Sequence, residues 1–290
     1  MQQEKIVEQF KAFLKDRHPD ATRVDIDSVR SVYGGASRQT VAMEIRISGK
    51  TEILSRNVIL RRELETGIID TETRTEWDAY RAFSNTDVPV PEALWIEEDP
   101  KWMGTPFLVM EEILDCQDAV SMLRIPPYDA VREKIGEAFC RIMGTIPKMI
   151  SVLSTFDHGP EEPDPDQCWR RELDYWEADI NQKESEPHPI LRAAVRWLRR
   201  HPPPPAQSVV PVHGDMRAGN FLFNSKGEIR AILDWEMFHL GDPLEDLTWA
   251  LNPIWSWAEQ DLLGSMIPRD QAMEIWKDTS GFDIDPAALT

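Results

Sequence analysis

The sequence predicts an α+β chain in two parts, a strand-rich part over residues 1–112 and a mainly helical part over residues 113–290. Three observations predict it. Runs before residue 62 alternate apolar and polar residues at the period of a half-buried strand. Runs after residue 127 repeat apolar residues at three- and four-residue intervals, the period of a helix packed on one face. Inside the second part, two short β-rich runs flank a turn and read as a hairpin.

The first element, Glu4 to Arg17, carries Ile6, Val7, Phe10, Phe13 and Leu14 on one helical stripe. Strands follow over Val24 to Tyr33, Arg38 to Ile47 (with Val41, Met43, Ile45 and Ile47 on one face) and Ile53 to Arg61. Between the first two lies Gly34-Gly35-Ala36-Ser37. Alone, it reads as a hairpin turn. Paired glycines between strands also let backbone N–H groups approach a phosphate, and its place two strands before Val58-Ile59-Leu60-Arg61 favours that reading. Strand neighbours point oppositely, so only one of Arg61 and Arg62 can face a ligand; Arg61 is the choice here.

Asp70 to Ser84 predicts a helix. Thr73-Arg74-Thr75-Glu76 has the form of a capping box, and Glu76 also shares a face with Tyr80 and Phe83. Val88-Pro89-Val90-Pro91 is a stiff connector, and Trp102 to Glu112 reads as turn, strand and exit. Helices are then expected over Tyr128 to Pro147, through Trp169, Leu173, Trp176 and Ile180, over Pro189 to Arg200, and from Gln271 to Lys277. Pro202 to Pro205 form an extended spacer. The aromatics of the second of these helices are expected in the core, as are most of the eleven tryptophans.

Composition narrows the partners. Lys+Arg 32 against Asp+Glu 51 gives a net charge of −19 and, at a pI near 4.7, argues against nucleic acid and anionic membrane, both of which need positive potential. The balance is compatible with a cationic substrate, although a solvated acidic surface is its commoner cause. No apolar run reaches membrane-spanning length, and the first ten residues lack a basic stretch followed by an apolar one. Three widely spaced cysteines, Cys116, Cys140 and Cys168, indicate neither a disulfide framework nor a zinc knuckle, so a reducing cytoplasmic setting is expected.

The chemistry concentrates in Val209 to Asn220 and its return segment Ile229 to Glu236. Val209 to Val212 is a buried strand end from which His213-Gly214-Asp215 turns into a polar loop. Phe221-Leu222-Phe223 and Ile229 to Leu233, separated by Asn224-Ser225-Lys226-Gly227-Glu228, form the hairpin. That hairpin carries Asp234 back beside Asn220, so Asp215, Asn220 and Asp234 should converge. Three oxygen-bearing side chains, two of them anionic, suit a hard cation such as Mg²⁺. His213 reads better as a residue bonding the loop than as base or ligand. Glu236 and Asp242 read equally well as metal-adjacent or backbone-bonding groups, and Asp246, opening an apolar run, as a helix N-cap.

His213-Gly214-Asp215-x-x-x-x-Asn220, Ile232-Leu233-Asp234-Trp235-Glu236 and Gly241-Asp242-Pro243-Leu244-Glu245-Asp246-Leu247 together closely resemble the aminoglycoside phosphotransferase-like family, from about Ser31 to Leu251. Leu60-Arg61-Arg62 resembles the branch related to kinase domains fused to some acyl-CoA dehydrogenases. The resemblance implies a bilobal protein kinase-like fold and an ATP-dependent transfer of a γ-phosphoryl group to a small-molecule hydroxyl. It implies Asp215 as the base that orients the acceptor, Asn220 and Asp234 as Mg²⁺ holders, and Gly34, Gly35, Ala36 and Ser37 as cover for the phosphates. Arg61 would grip those phosphates where relatives carry Lys, positioned by Glu76, and the backbone of Met110, Glu111, Glu112 and Ile113 would meet adenine between the lobes. The family usually carries further helices beyond this point, so a short member or a shortened chain is expected.

Two rivals stand beside it. A metallohydrolase would use His213, Asp215, Asp234, Glu236 and His239 as ligands, leaving Gly34-Gly35 and Arg61 without purpose. A nucleotide-binding scaffold without turnover is kept open by Arg61 standing where Lys is usual.

Overall fold

The computed structural model describes residues 2–32, 38–50, 53–64, 73–118, 120–156, 159–256 and 259–288. The chain divides into two compact units, one of residues 1–81 and 91–114, the other of 82–90 and 115–290. The stretch 82–90 thus belongs with the second unit, where sequence reading had placed it with the first.

Among the described residues, the first unit is a five-stranded antiparallel sheet with two helices. Helix α1 (Gln2–Arg17) precedes β1 (Arg23–Val32), β2 (Arg38–Ser48) and β3 (Ile53–Glu63). Helix α2 (Thr73–Phe83), β4 (Ala93–Glu97) and β5 (Phe107–Glu111) follow, and the sheet order is β1-β2-β3-β5-β4. Sequence reading missed β4, because two prolines precede it and every residue in it is only half-buried. It is an edge strand, where alternation is weak.

The alternation of β2 has the expected result: Val41, Met43, Ile45 and Ile47 are buried in one cluster with Val58 and Leu60 of β3 and Phe10, Phe13 and Leu14 of α1. Phe107 closes it, its ring meeting Phe13 edge-on at 5.1 Å and Phe10 at 6.4 Å. Full burial of such side chains contributes roughly 1.5–3 kcal/mol each. The register β2 to β3 runs unbroken from Arg38↔Glu63 to Ser48↔Ile53, which fixes which side of the sheet every β3 side chain faces.

The second unit is mainly helical, with three small two-stranded ladders among the described residues, two of which frame the polar loop and the hairpin. Helices α3 (Arg132–Thr145), α4 (Cys168–Lys183) and α5 (Pro189–Arg200) precede β6 (Val210–Val212), β7 (Phe221–Phe223), β8 (Ile229–Ile232) and β9 (His239–Gly241). Helices α6 (Glu245–Ala250) and α7 (Arg269–Ser280) complete it. β7 pairs with β8 and β6 with β9, both antiparallel. Helix α3 buries Ile135, Phe139 and Met143, and Phe139 reaches Phe221 of β7 at 4.8 Å. Residues 82–90 join this unit through Phe83, stacked on Trp235 at 4.4 Å, and through the Pro89 carbonyl, which accepts the Ile232 N–H at 2.8 Å.

Two expectations about packing are corrected. The aromatics of α4 are not core: Trp169 and Trp176 are half-buried, and only Cys168 on that helix is buried. Of the ten tryptophans among the described residues, only Trp77, Trp235 and Trp276 are buried. An indole N–H needs an acceptor, and a half-exposed position supplies one without desolvation cost. Among the described residues, no helix is long and apolar enough to cross a membrane.

Candidate active site

The polar loop after β6 is held by donors and acceptors on every side. The ring of His213 donates from Nε2 to the Leu233 carbonyl at 2.9 Å and accepts the Asp215 N–H at Nδ1, at 3.1 Å. Both ring nitrogens are therefore committed to backbone. The carboxylate of Asp246 accepts the N–H groups of His213 at 2.8 Å and Gly214 at 3.0 Å. Gly214 has φ +86, and a Cβ there would stand 2.5 Å from the Met237 carbonyl oxygen, so only glycine fits between His213 and Asp215.

Asp246 was expected as a helix N-cap, and that reading is wrong. It lies inside the first turn of α6, between buried Leu244 and Leu247, and its carboxylate points away from its own helix toward the loop. Burial raises its pKa against the two backbone donors and His213, which favour the anion. An acidic residue on the apolar face of a short helix was the sequence signal: such a group needs donors from elsewhere. Asp242 takes the backbone-bonding option, accepting the Leu244 N–H at 2.9 Å, and its carboxyl is raised by burial. Glu236 is buried.

Asp215, Asn220 and Asp234 are brought together as the hairpin geometry requires. Phe221 pairs with Ile232, and the Leu233 N–H donates to the Asn220 carbonyl at 2.8 Å, so Asp234 emerges beside Asn220. Leu233 is thus gripped at its N–H by Asn220 and at its carbonyl by His213. Asp234 itself adopts a left-handed backbone, φ 67 and ψ 51, uncommon for a residue with a side chain. Such strain is held only where surrounding bonds over-determine it, as they do at Leu233.

The Asp215 carboxylate has three donors. Asn220 Nδ2 reaches Oδ2 at 2.7 Å, Trp249 Nε1 reaches Oδ1 at 2.7 Å, and Arg217 Nε reaches both oxygens at 3.1 and 3.2 Å. The guanidinium of Arg217 in turn lies 4.7 Å from the Trp255 ring centroid. Sequence reading missed Arg217, Trp249 and Trp255. For Arg217 adjacency to Asp215 was the available hint; the tryptophans come from a later segment and carried none.

The donor set fits a hard cation. Asn220 uses its amide nitrogen on the Asp215 carbonyl and carboxylate, so its amide oxygen is the ligand end, next in the hairpin to the Asp234 carboxylate. The ligand set of the hydrolase rival is not assembled: both nitrogens of His213 are taken, and His239 associates with Glu172 and Glu245 instead.

In the first unit, Arg61 and Arg62 do face opposite ways. Arg61 is buried and ion-pairs with Glu76, while Arg62 donates to Gln39 Oε1 at 2.6 Å and the Met103 carbonyl at 3.1 Å. Glu76 is fully buried, and its second oxygen lies 3.3 Å from Arg38 Nε, while the Thr73 N–H donates to Glu63 Oε1 at 3.2 Å. Arg38, at the start of β2, is itself buried and donates to Thr73 Oγ1 at 2.8 Å. It was read only as a strand residue. Of Met110, Glu111, Glu112 and Ile113, the N–H groups of Glu111 and Glu112 are taken by the carbonyls of Glu92 and Asn57, at 2.9 and 3.0 Å. Gly34, Gly35, Ala36 and Ser37 lie outside the described residues.

Comparison with known proteins shows the family and the fold. A family model described as "APH: Phosphotransferase enzyme family" matches residues 52–278. The mouse (Mus musculus) acyl-CoA dehydrogenase family member 10 is 28% identical over 204 residues, which is 68% of this chain and 18% of that protein. The chicken (Gallus gallus) family member 11 is 27% identical over 184 residues, covering 60% and 22%. The chain spans about a fifth of the length of these relatives. Among solved structures, a putative aminoglycoside phosphotransferase from Ralstonia eutropha JMP134 superposes with a TM-score of 0.64 at 20% identity, over 96% of this chain and 81% of that one. A macrolide 2'-phosphotransferase type I gives 0.61 at 14% identity, over 97% and 84%. The fold is the kinase-like fold of these phosphotransferases.

Proposed function

Since the chain belongs to the phosphotransferase enzyme family, we propose that it moves the γ-phosphoryl group of ATP to a hydroxyl of a small molecule, with Asp215 orienting that hydroxyl and taking its proton. The observation that carries this reading is the Asp215 carboxylate itself. It is fixed by Asn220, Arg217 and Trp249 and stands in the same loop system as Asp234.

In a loose phosphoryl-transfer transition state the protein mainly positions groups and offsets charge. Asp215 accepts a hydrogen bond from the acceptor and, as its oxygen bonds to phosphorus, takes the proton; the bond to the β–γ bridging oxygen breaks and ADP leaves. His213 and Asp246 hold the loop so that Asp215 does not drift. Asn220 through its amide oxygen and Asp234 through its carboxylate are the residues that would hold Mg²⁺, which would offset charge on the phosphates. Arg61, held by Glu76, is the proposed phosphate grip; its planar fork suits two oxygens where lysine offers one point charge. Residues 34–37 are proposed to cover the phosphates, and the backbone of 110–113 to meet the base.

The test is ATP consumption by the purified protein against a panel of small hydroxyl compounds: sugars, amino alcohols, aminoglycosides and hydroxyacyl thioesters. Acceptor-dependent ADP release that vanishes in Asp215→Asn supports the reading. Nucleotide binding without turnover on any acceptor supports the silent scaffold instead.

A further inference from the structure

We propose that Glu172, His239 and Glu245 form a binding site for a divalent transition-metal ion of the zinc class, separate from the Asn220–Asp234 site. It stands whether or not the phosphotransfer reading holds.

The three residues come from α4, β9 and the first turn of α6, and one ligand atom from each lies within 4.8 Å of the other two. His239 Nε2 is 3.2 Å from Glu245 Oε2 and 3.4 Å from Glu172 Oε1. Ligands bound tetrahedrally at about 2.0–2.1 Å are separated by about 3.3–3.4 Å, so these two separations already match a zinc polyhedron.

The imidazole is oriented as a metal ligand is. Its Nδ1–H donates to the Met237 carbonyl at 2.9 Å, which leaves Nε2 aimed between the two carboxylates. A second partner of this kind fixes the tautomer of ligating histidines generally. Three acceptor atoms that converge repel one another unless a proton or a cation lies among them, and a metal ion would replace that proton.

The surroundings are built to match. His239 is buried, while the Glu172 and Glu245 side chains remain 25% and 28% exposed, which leaves an ion a route in. Gly241 lines the site: a Cβ there would stand 2.9 Å from His239 Nε2 and 3.1 Å from Glu245 Oε2. One imidazole and two carboxylates are a zinc-type donor set with room for water, whereas Asn220 and Asp234 offer only oxygen, as magnesium prefers. His239 pairs with Val212, next to His213, so an ion here would tether the half-buried α4 to the strand pair that carries the Asp215 loop.

The test uses tag-free full-length protein stripped with a chelator and titrated with Co²⁺, whose tetrahedral complexes absorb strongly in the visible. The expected result is one Co²⁺ per chain without nucleotide, displaced by equimolar Zn²⁺. His239→Gln should abolish the band, Glu172→Gln should weaken binding at least tenfold, and Gly241→Ala should block it with all three ligands intact. Asp234→Asn should leave it unchanged. Each variant is first checked for the wild-type unfolding transition; if His239→Gln fails to fold, Glu172→Gln, a half-exposed helical position, decides. Absence of the band in the wild type overturns the proposal, as does a band that survives Glu172→Gln undiminished or disappears in Asp234→Asn.

Discussion

The carboxylate of Asp246 holds the backbone N–H of His213 at 2.8 Å, and that of Gly214 at 3.0 Å, across more than thirty residues of chain. The loop bearing Asp215 is therefore positioned by a buried residue of a later helix. Asp246→Asn keeps the shape but offers one acceptor oxygen for two donors. The expected outcome is a loss of about 1–3 kcal/mol in stability, the scale of a buried unsatisfied N–H, and a fall in turnover larger than any change in nucleotide affinity. Urea unfolding with steady-state kinetics checks both.

Asp215→Asn should leave ATP affinity within a few-fold while turnover drops by about 10²–10⁴, the usual worth of a general base. Trp249→Phe, which removes a 2.7 Å donor from Asp215, should lower turnover less. Asp234→Ala should instead abolish nucleotide-dependent Mg²⁺ binding. Near-full turnover in Asp215→Asn would remove that residue from the mechanism.

Arg61→Ala should weaken ATP binding by roughly 1.5–3 kcal/mol, and Arg61→Lys should recover only part of it. Arg62→Ala should do little, since that side chain is bonded to Gln39 and Met103. Glu76 pairs with both Arg61 and Arg38, and Arg38 also lies 3.6 Å from Glu63, so Glu76→Gln removes the anion that the two buried arginines share. It should cost about 3–5 kcal/mol of stability, more than either arginine-to-lysine change. Calorimetric titration and thermal unfolding separate the binding effect from the folding effect.

With chelator present, His239 makes stability depend on alkaline pH. Its folded pKa, about 9, lies above its ordinary 6.5, so its contribution is full below about pH 6.5 and lost as pH rises through about 9. That loss should approach about 3 kcal/mol. The facing carboxyl of Glu172 is itself raised, chiefly by burial, and His239 opposes that rise. The readout is unfolding free energy between pH 6 and 10 for wild type minus His239→Gln; a flat difference would count against the triad.

Strand period, turn residues and the Asp-x-x-x-x-Asn spacing are local properties, and they were enough to place β2, β3 and β7–β8, to bring Asp234 beside Asn220, and to set Arg61 and Arg62 on opposite sides of β3. Each of those outcomes needs only the alternation of side chains along a strand or the return of a hairpin, which the residues in that stretch dictate. What the sequence could not carry was partnership between segments. That Asp246 serves the loop rather than its helix, that Arg38 shares Glu76 with Arg61, that Trp249 reaches Asp215, and that Glu172, His239 and Glu245 meet, all depend on how helices and ladders pack. The half-burial of α4 shows the same limit: an apolar stripe reports that a helix has a face to cover, while the tertiary arrangement decides how much of it is covered.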